Sequence, residues 1–281
     1  MYLSAVVLAA GKGERFSHNN ISIVGSGIPT CVVKMIESGK SLDSKLLVKI
    51  NRKPVIIYSL DILSRHPLVK EIVLVVNALN RGKIVEAVKK YRIPKISRIV
   101  KGGARRQDSV YNGLKVLDKK ADLVLIHDAG RPFIDDKIVD SAVIAADKYG
   151  AAIVGVPVKA TIKKGTRTLG YQHTKTLRHQ DIKTPRHRGA SPVIVEKTID
   201  RSNLWEIQTP QVFKKDIILK AFRKFGRFNV TDDAMLVEKL GQPVNIVQGS
   251  YFNIKITMPE DLIIAQAISK KGRGKGRGRE W

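Results

Sequence analysis

The chain of 281 residues contains very little cysteine and no long apolar run. Its single cysteine, Cys31, excludes a disulfide framework within the chain and argues against a cysteine-based zinc site. No stretch approaches 18 consecutive apolar residues, which argues against a membrane-spanning helix. The first residues resemble a strand and not a charged leader followed by an apolar segment. We therefore expect a cytoplasmic protein that has no membrane partner.

The chain is also short of acidic residues. It carries 25 Asp and Glu against 51 Lys and Arg, which gives a formal net charge of +26. A positive field of this size attracts nucleotides, phosphorylated substrates and nucleic acids alike, so we expect weak, nonspecific binding of polyanions. The charge narrows the class of partner without identifying one.

Short β-branched runs alternate with segments of helical periodicity through most of the sequence. Runs such as residues 72–76 and 123–126 lack polar residues, as expected of strands covered on both faces. The pattern predicts an α/β fold with a mostly parallel sheet in three layers, which binds ligands beyond the carboxyl ends of its strands. The predicted strands cover residues 3–8, 71–76, 96–100, 122–127 and 152–158, and the predicted helices cover 54–65, 81–91, 106–117 and 136–149.

Three segments interrupt this alternation. Residues 17–44 are rich in Ser, Gly and Asn, residues 166–195 are strongly basic, and residues 269–281 form a Gly/Arg sequence typical of disorder. We predict one domain over residues 1–268 with insertions at about 17–44 and 166–195, followed by a disordered basic tail. Three histidines in the second insertion are irregularly spaced, which favours a solvated basic segment over a metal site. They are His173, His179 and His187.

The stretch LAAGKGERF, residues 8–16, follows the first predicted strand. Gly11 and Gly13 allow a tight turn whose main-chain N–H groups can approach a phosphate closely. The spacing matches neither the dinucleotide-binding fingerprint nor the P-loop. Taken alone, the stretch is either a phosphate-binding loop or a simple turn.

Two later stretches also follow predicted strands. KGGARRQDSVYNGL, residues 101–114, places a Gly-Gly turn, a basic pair and a hydroxyl group at the start of a helix, which is either an anion or base-edge site or a helix cap. LIHDAGRPF, residues 125–133, ends a buried strand with Asp128 and Arg131. These two side chains are either ligand-binding groups or a buried ion pair.

The C-terminal third carries weaker signals. WEIQTPQVF, residues 205–213, predicts a polar turn, and NIKITMPEDL, residues 253–262, predicts a β-branched strand that contains a lysine. Thr231, ahead of two aspartates, is expected to cap a helix that ends at Gly241.

Taken together and in order, these motifs resemble one family. VVLAAGKGERF, GGARRQDSV, HDAGRP, VPVKATIK, DRSNLWEIQTPQVF, TDDAMLVEKLG and NIKITMPEDL are similar to stretches of the 2-C-methyl-D-erythritol 4-phosphate cytidylyltransferases, enzymes of the non-mevalonate isoprenoid pathway. The resemblance covers roughly residues 2–16, 45–162 and 198–268. It implies a Rossmann-like nucleotidyltransferase fold with a protruding β-arm at about residues 157–210.

The resemblance also implies a reaction and its partners. CTP and the methylerythritol phosphate would give the CDP-alcohol and pyrophosphate, by in-line attack of a substrate phosphate oxygen on the α-phosphorus of CTP. Both reactants are anions, so the protein must align them and neutralise their charge. Mg²⁺ would be held mainly by the phosphates of CTP, with Asp128 nearby. The β-arm would reach into a neighbouring subunit, which implies a homodimer.

Residue by residue, the resemblance implies a site. Arg15 and Lys45 match the two transition-state stabilisers, although Ser44 and Leu46 beside Lys45 do not match the family pattern. The nucleotide-binding positions are Ala9, Ala10, Gly11, Gly13, Gly103, Ala104, Ser109, Asp128 and Ala129. The positions that bind the sugar-alcohol phosphate are Arg131, Thr161, Arg201 and Lys255.

The first insertion separates Arg15 from Lys45 where the family has a short loop, so their convergence depends on how residues 17–44 fold. Three alternatives stay open. The first is a related cytidylyltransferase that acts on ribitol 5-phosphate. The second is a basic nucleic-acid-binding protein on the same fold, and the third is an enzyme disabled by the first insertion.

Overall fold

The computed structural model describes residues 1–11, 13, 16, 44–167 and 193–274, with side chains through residue 270. Several residues named above lie outside the described residues. They are Arg15, Cys31, His173, His179 and His187, together with most of both predicted insertions. The chain divides into two compact units, one formed by Met1–Val156 and Ile207–Trp281 and the other by Pro157–Glu206.

A seven-stranded sheet forms the centre of the first unit. In chain order the strands of the described residues are β1 (Leu3–Ala9), β2 (Lys49–Ile50), β3 (Lys53–Pro54), β4 (Val69–Val76), β5 (Ile96–Lys101), β6 (Leu123–Asp128), β7 (Ala151–Pro157), β8 (Ile162–Arg167), β9 (Val193–Ile199), β10 (Trp205–Lys214) and β11 (Asn245–Gln248). The order in the sheet is β11-β7-β10-β6-β1-β4-β5. β6, β1, β4 and β5 are parallel, and β10 is antiparallel to β6. The mostly parallel sheet and its five predicted strands are confirmed.

Helices cover both faces of this sheet. They are α1 (Val55–Arg65), α2 (Arg81–Lys90), α3 (Arg106–Leu114), α4 (Asp136–Tyr149), α5 (Lys215–Phe225), α6 (Ala234–Glu238) and α7 (Asp261–Gly274). Side chains of α1, α2, α4 and α7 share a core with Ala5 and Val7, whereas α3, α5 and α6 share a second core with Val6. Because successive side chains of a strand point to opposite faces, this division produces the predicted three layers.

Two C-terminal stretches differ from their predicted structure. Residues 205–213 were expected to be a polar turn but form most of β10, inside the sheet, whereas residues 253–257 join no sheet. Gln208, Thr209 and Gln211 gave β10 the appearance of a turn because polar residues are uncommon in a buried strand. Their side chains are buried and hydrogen-bonded, as in the contact between the Gln208 amide and the carbonyl of Ser250 (2.9 Å).

The start of α6 also differs from its prediction. Thr231 was expected to cap this helix, but the carboxylate of Asp232 accepts the hydrogen bond from the N–H of Met235 (3.1 Å) because the helix begins only at Ala234. Gly241 has a left-handed φ of +76° shortly after the helix, consistent with its predicted role at the helix end.

The second unit contains the antiparallel pair β8 and β9, with Ile162 opposite Ile199. Most side chains of both strands are exposed.

The last helix, α7, runs to Gly274 and therefore extends past residue 269, where the tail was predicted to begin. Within the described ranges, none of the helices combines the length and the apolar content that crossing a bilayer requires.

Gly113 allows α3 to lie directly on the sheet. A Cβ atom at this position would be 2.5 Å from Cγ1 of Val6 and 3.2 Å from Cγ2 of Val75. Both valines are fully buried in the core, so neither can move aside without disturbing its neighbours. The close contact determines how near the last turn of α3 lies to β1 and β4.

Replacing Gly113 with alanine is expected to lower the free energy of unfolding by about 1–3 kcal/mol, because overpacking outweighs the better helix propensity of alanine, about 1 kcal/mol. Gly82→Ala in α2 is the matched control, since a Cβ atom there meets nothing within 4 Å. Urea denaturation of both variants measures the effect. Equal stability of the two variants would contradict the packing argument.

Candidate active site

A cavity of about 580 Å³ opens at the carboxyl ends of four adjacent parallel strands. Leu8 near the end of β1, Lys101 at the end of β5 and Asp128 at the end of β6 line it, and so does Asn77, which follows β4. The site therefore lies where an open α/β sheet is expected to bind its ligand.

The cavity wall is strongly positive. Among the described residues that line it, Asp128 is the only acidic one. The basic residues of the wall are Lys45, Lys101, Arg105, Arg106 and Lys255. Five cations facing one carboxylate create a local field that favours a multiply charged anion.

Two glycine-containing loops meet in this wall. Gly13 has a φ of +72°, a backbone conformation that residues other than glycine rarely adopt. A Cβ atom on Gly102 would be 2.4 Å from the Cβ of Ala10, so the loop after β5 approaches the loop after β1 more closely than any larger residue permits. A Cβ atom on Gly103 would likewise be 2.4 Å from the Cβ of Asp108.

Asparagines of the loop after β4 hold the end of β1 in place. The side chain of Asn80 donates to the carbonyl of Ala9 (2.8 Å), and that of Asn77 donates to the carbonyl of Ala10 (3.3 Å). Each asparagine also accepts a main-chain hydrogen bond from the other, at 2.8 and 3.1 Å. Because these carbonyls already accept hydrogen bonds from side chains behind the strand, the end of β1 is held in a defined position.

Ser109 shapes the neighbouring loop. Its hydroxyl accepts a hydrogen bond from the N–H of Gly103 (3.0 Å) and donates to the carbonyl of Arg105 (3.2 Å). The predicted pair Gly103 and Ser109 is therefore joined by a direct contact, and both residues, with Ala104, line the cavity.

Lys45 begins a short 3-10 turn, Lys45–Leu47, and lines the cavity. The hydroxyl of Ser44 accepts a hydrogen bond from the N–H of Leu46 (3.3 Å), and the side chain of Leu46 is buried in the core. The two residues that depart from the family pattern thus stabilise the turn that carries Lys45. Phe16 is buried in the same core cluster as Leu46.

The carboxylate of Asp128 lies between two cations. Its Oδ2 accepts a hydrogen bond from Nζ of Lys255 (2.6 Å), and its Oδ1 lies 3.6 Å from Nε of Arg106. Burial alone would raise the pKa of Asp128, but the positive charges of Arg106 and Lys255 hold it well below its ordinary value. The carboxylate is therefore ionised throughout the physiological pH range.

A chain of hydrogen bonds lies behind Asp128. The carbonyl of Arg131 can only accept, so Nε2 of His127 carries the proton of that contact (3.2 Å). Nδ1 of His127 then accepts from the hydroxyl of Thr209 (3.1 Å), whose oxygen accepts from the N–H of Asp128 (3.1 Å). Burial lowers the pKa of His127 to about 4, so the ring is neutral. The network fixes the backbone of the HDAGR segment.

Most of the residues predicted for the site come together, but not all. Those that line the cavity are Ala10, Gly11, Gly13, Lys45, Gly103, Ala104, Ser109, Asp128 and Lys255. Ala9 and Ala129 are buried beside it, and the guanidinium of Arg131 donates to the main-chain carbonyls of Asn253 (2.7 Å) and Ile207 (3.4 Å). Thr161 and Arg201 are exposed and flank the same end of the β8–β9 pair in the second unit.

Sequence reasoning missed Arg106, Asn77 and Asn80. Arg106 was visible only as half of a basic pair at a helix start, and its neighbour Arg105 pairs instead with Asp108 (2.7 Å). The two asparagines stand in the stretch NALN after β4, a polar signal at a strand end that could have been noticed. Among the described residues, no group of three or more His, Cys, Asp or Glu side chains could hold a metal ion.

Known proteins of one family are similar to this chain. A family model described as 2-C-methyl-D-erythritol 4-phosphate cytidylyltransferase matches residues 37–186 and 181–271. A relative of that name from Geobacillus kaustophilus is 37% identical over 270 residues, which is 95% of this chain and 97% of the relative. The relative of the same name from Clostridium botulinum is 38% identical, with the same coverage of 95% and 97%.

Solved structures give the same result. The 4-diphosphocytidyl-2C-methyl-D-erythritol synthase of Anaerococcus prevotii is 28% identical and superposes with a TM-score of 0.68, covering 96% of this chain and 98% of its own. The 2-C-methyl-D-erythritol 4-phosphate cytidylyltransferase of Francisella tularensis is 25% identical, with a TM-score of 0.65 and coverage of 95% and 100%.

The buried His127 predicts a pH-dependent contribution to stability. Its pKa is about 4 in the folded protein against 6.5 for an ordinary histidine, so the unfolded chain takes up this proton first as the pH falls. The contribution is full above about pH 6.5 and is lost toward about pH 4, amounting to roughly 3 kcal/mol. Urea denaturation of the wild type and of His127→Gln across this range measures it. A stability difference that does not change with pH would contradict the prediction.

Proposed function

This chain belongs to the 2-C-methyl-D-erythritol 4-phosphate cytidylyltransferase family, and from that premise we propose how its residues carry out the reaction. The enzyme transfers CMP from CTP to 2-C-methyl-D-erythritol 4-phosphate and releases pyrophosphate, a step in non-mevalonate isoprenoid biosynthesis. The observation that supports the proposed roles best is the wall of five cations and one carboxylate at the carboxyl ends of the parallel strands.

We assign the triphosphate of CTP to the loop from Ala9 to Gly13. Asn77 and Asn80 hold the carbonyls of Ala10 and Ala9 at the start of this loop, and main-chain N–H groups of a glycine-containing loop are suited to binding phosphate oxygens. The cytosine base is assigned to Gly103, Ala104 and Ser109, whose loop supplies main-chain groups and a hydroxyl to the cavity wall. Asp128 and Ala129 are assigned to the region of the ribose and the phosphates.

The chemical step is an in-line substitution at phosphorus. A phosphate oxygen of the sugar-alcohol substrate forms a bond to the α-phosphorus of CTP while the bond to the bridging oxygen breaks, and pyrophosphate leaves with the bonding electrons. Negative charge concentrates on the transferring group, so two cations aimed at it lower the barrier. We assign this role to Arg15 and Lys45. Their neighbours Phe16 and Leu46 pack in one core cluster, which supports convergence despite the intervening insertion.

The residues of the cavity fit a magnesium ion bound chiefly through the substrate. Mg²⁺ in nucleotide sites takes one or two protein carboxylates and completes its shell with phosphates and water. Asp128 is the one carboxylate that the described residues of the wall supply, and its low pKa keeps it ionised. The bound ion would supply charge neutralisation of the triphosphate.

We assign the sugar-alcohol phosphate to Arg131 and Lys255 of one subunit together with Thr161 and Arg201 of a second copy. Thr161 and Arg201 flank the β8–β9 pair, whose Val193, Ile194 and Val195 are exposed by 61%, 53% and 58%. A two-stranded ribbon with exposed apolar side chains is only marginally stable by itself, which supports a homodimer in which this arm packs on a second copy.

Weak polyanion binding and a cytoplasmic location stay predictions of the sequence.

Removing either transition-state cation is expected to lower turnover by about 10²–10³ while the protein stays folded. The variants are Arg15→Ala and Lys45→Ala, and Lys49→Ala is the control because Lys49 is exposed on β2, outside the cavity wall. Pyrophosphate release from CTP with Mg²⁺ and 2-C-methyl-D-erythritol 4-phosphate measures the rate. Turnover of Lys45→Ala equal to that of Lys49→Ala would contradict the assignment.

The pyrophosphate-release assay separates the first alternative, and an RNA-binding assay at high salt separates the second. Faster turnover with ribitol 5-phosphate than with the methylerythritol phosphate would contradict the substrate assignment. RNA binding that persists at high salt, combined with no pyrophosphate release, would favour a nucleic-acid-binding role instead.

The exposed arm predicts a concentration-dependent dimer. Ile194→Asp is expected to weaken dimerisation by at least about tenfold, because the substitution places an unpaired charge in an apolar contact. Ile246→Asp on the edge strand β11 is the matched control, since Ile246 is 42% exposed and lies outside the arm. Sedimentation velocity measures both variants. A fully active wild type that is monomeric at every concentration would refute the dimer.

A further inference from the structure

Three consecutive residues at the start of α3 hold a distant segment of the chain. The guanidinium of Arg105 donates to the carbonyls of Gly226 (3.2 Å) and Arg227 (3.3 Å). The amide of Gln107 donates to Gly226 (2.8 Å) and Phe228 (2.6 Å). These contacts fix residues 226–228 against the helix start, and the chain then continues to the two aspartates before α6.

Arg106, between those two residues, reaches the second aspartate. Its NH1 donates to Oδ2 of Asp233 at 2.7 Å, and Asp233 is fully buried. The main-chain N–H of Asp233 donates to the side chain of Gln211 (3.3 Å), which also donates to Asp232 (2.8 Å). A buried carboxylate next to a single guanidinium is costly to separate from it, so this pair fixes the direction of the Arg106 side chain.

The other edge of the same guanidinium faces the cavity. Nε of Arg106 lies 3.6 Å from Oδ1 of Asp128, and the side chain is 32% exposed where it lines the wall. Oδ2 of Asp128 is occupied by Nζ of Lys255. Four residues from separate parts of the sequence thus form one row, Asp233, Arg106, Asp128 and Lys255, that runs from the buried interior to the cavity.

We propose that Arg106, held by Asp233, is a positioning residue for the transfer reaction and fixes the Asp128 carboxylate at the cavity wall. A planar guanidinium can hydrogen-bond Asp233 through NH1 and present Nε to Asp128 at ion-pair distance on another edge, whereas an ammonium group is a single compact charge. The two-sided contact is what orients Asp128 and, through it, Lys255. This inference rests on the proposed function of the cavity, since it concerns the carboxylate assigned to the nucleotide.

The rival explanation is a purely structural ion pair between Arg106 and Asp233. The two explanations differ for Arg106→Lys, which retains a positive charge beside the buried Asp233 but cannot bridge two carboxylates. A structural pair needs only the charge. A positioning role needs the geometry as well.

The test uses Arg106→Lys, Asp233→Asn and a control, Asp61→Asn. Asp61 lies on α1 and pairs with Lys53 (2.5 Å) and Arg65 (2.8 Å) outside the cavity wall, so its loss removes an ion pair of similar geometry. For each variant, thermal unfolding, kcat, KM for CTP and a crystal structure are determined. We expect kcat to fall about 10–100-fold in both Arg106→Lys and Asp233→Asn, with KM for CTP changed less than about threefold.

Asp61→Asn should keep the wild-type kcat. In the crystals of Arg106→Lys and Asp233→Asn, the Asp128 carboxylate should leave the position it has beside Lys255. The proposal is overturned if Arg106→Lys turns over like the wild type, or if the loss in Asp233→Asn is matched by Asp61→Asn at equal thermal stability. A wild type without turnover would refute the proposed function instead, and the position of Asp128 in the Asp233→Asn crystal would then decide the inference alone.

Discussion

Asp128 retains its negative charge inside the protein because two positive side chains lie beside it. Burial opposes the charge, and Lys255 and Arg106 more than offset that cost. The two cations come from distant parts of the chain, one from the start of α3 and the other from the segment before α7. The ion cluster can therefore form only after the C-terminal third has folded onto the sheet, which couples the chemistry of the site to the completion of the fold.

The sheet supplies the platform for that cluster. Four parallel strands end at one edge, and each contributes a residue at or just beyond its end to the cavity. Side chains behind the edge then hold the loops. Asn80 satisfies the carbonyl of Ala9, and Thr209 satisfies the N–H of Asp128. Because these contacts satisfy backbone groups behind the edge, they hold the residues that face the cavity in defined positions.

The first insertion, predicted at residues 17–44, is compatible with the proposed convergence of Arg15 and Lys45. Lengthening a loop costs little, about 0.6 kcal/mol for each doubling, provided that its ends are held. Here both ends are held, since Phe16 and Leu46 are buried in one core cluster. Ser44 and Leu46 differ from the family pattern. Ser44 caps the 3-10 turn and Leu46 is buried, so together they hold Lys45 in the cavity wall.

The sequence by itself determined five strands of the sheet, the helices between them and most of the cavity wall. Hydrophobic periodicity is a local property, and motifs that follow strands must collect at one edge when the strands are parallel. Only the tertiary structure decided that residues 205–213 form an inner strand and that Arg106 joins Asp233 to Asp128. A polar residue carries no local sign of its partner, because the group that satisfies it can lie far along the chain, as Asp233 lies 127 positions from Arg106, and is identified only when the chain has folded.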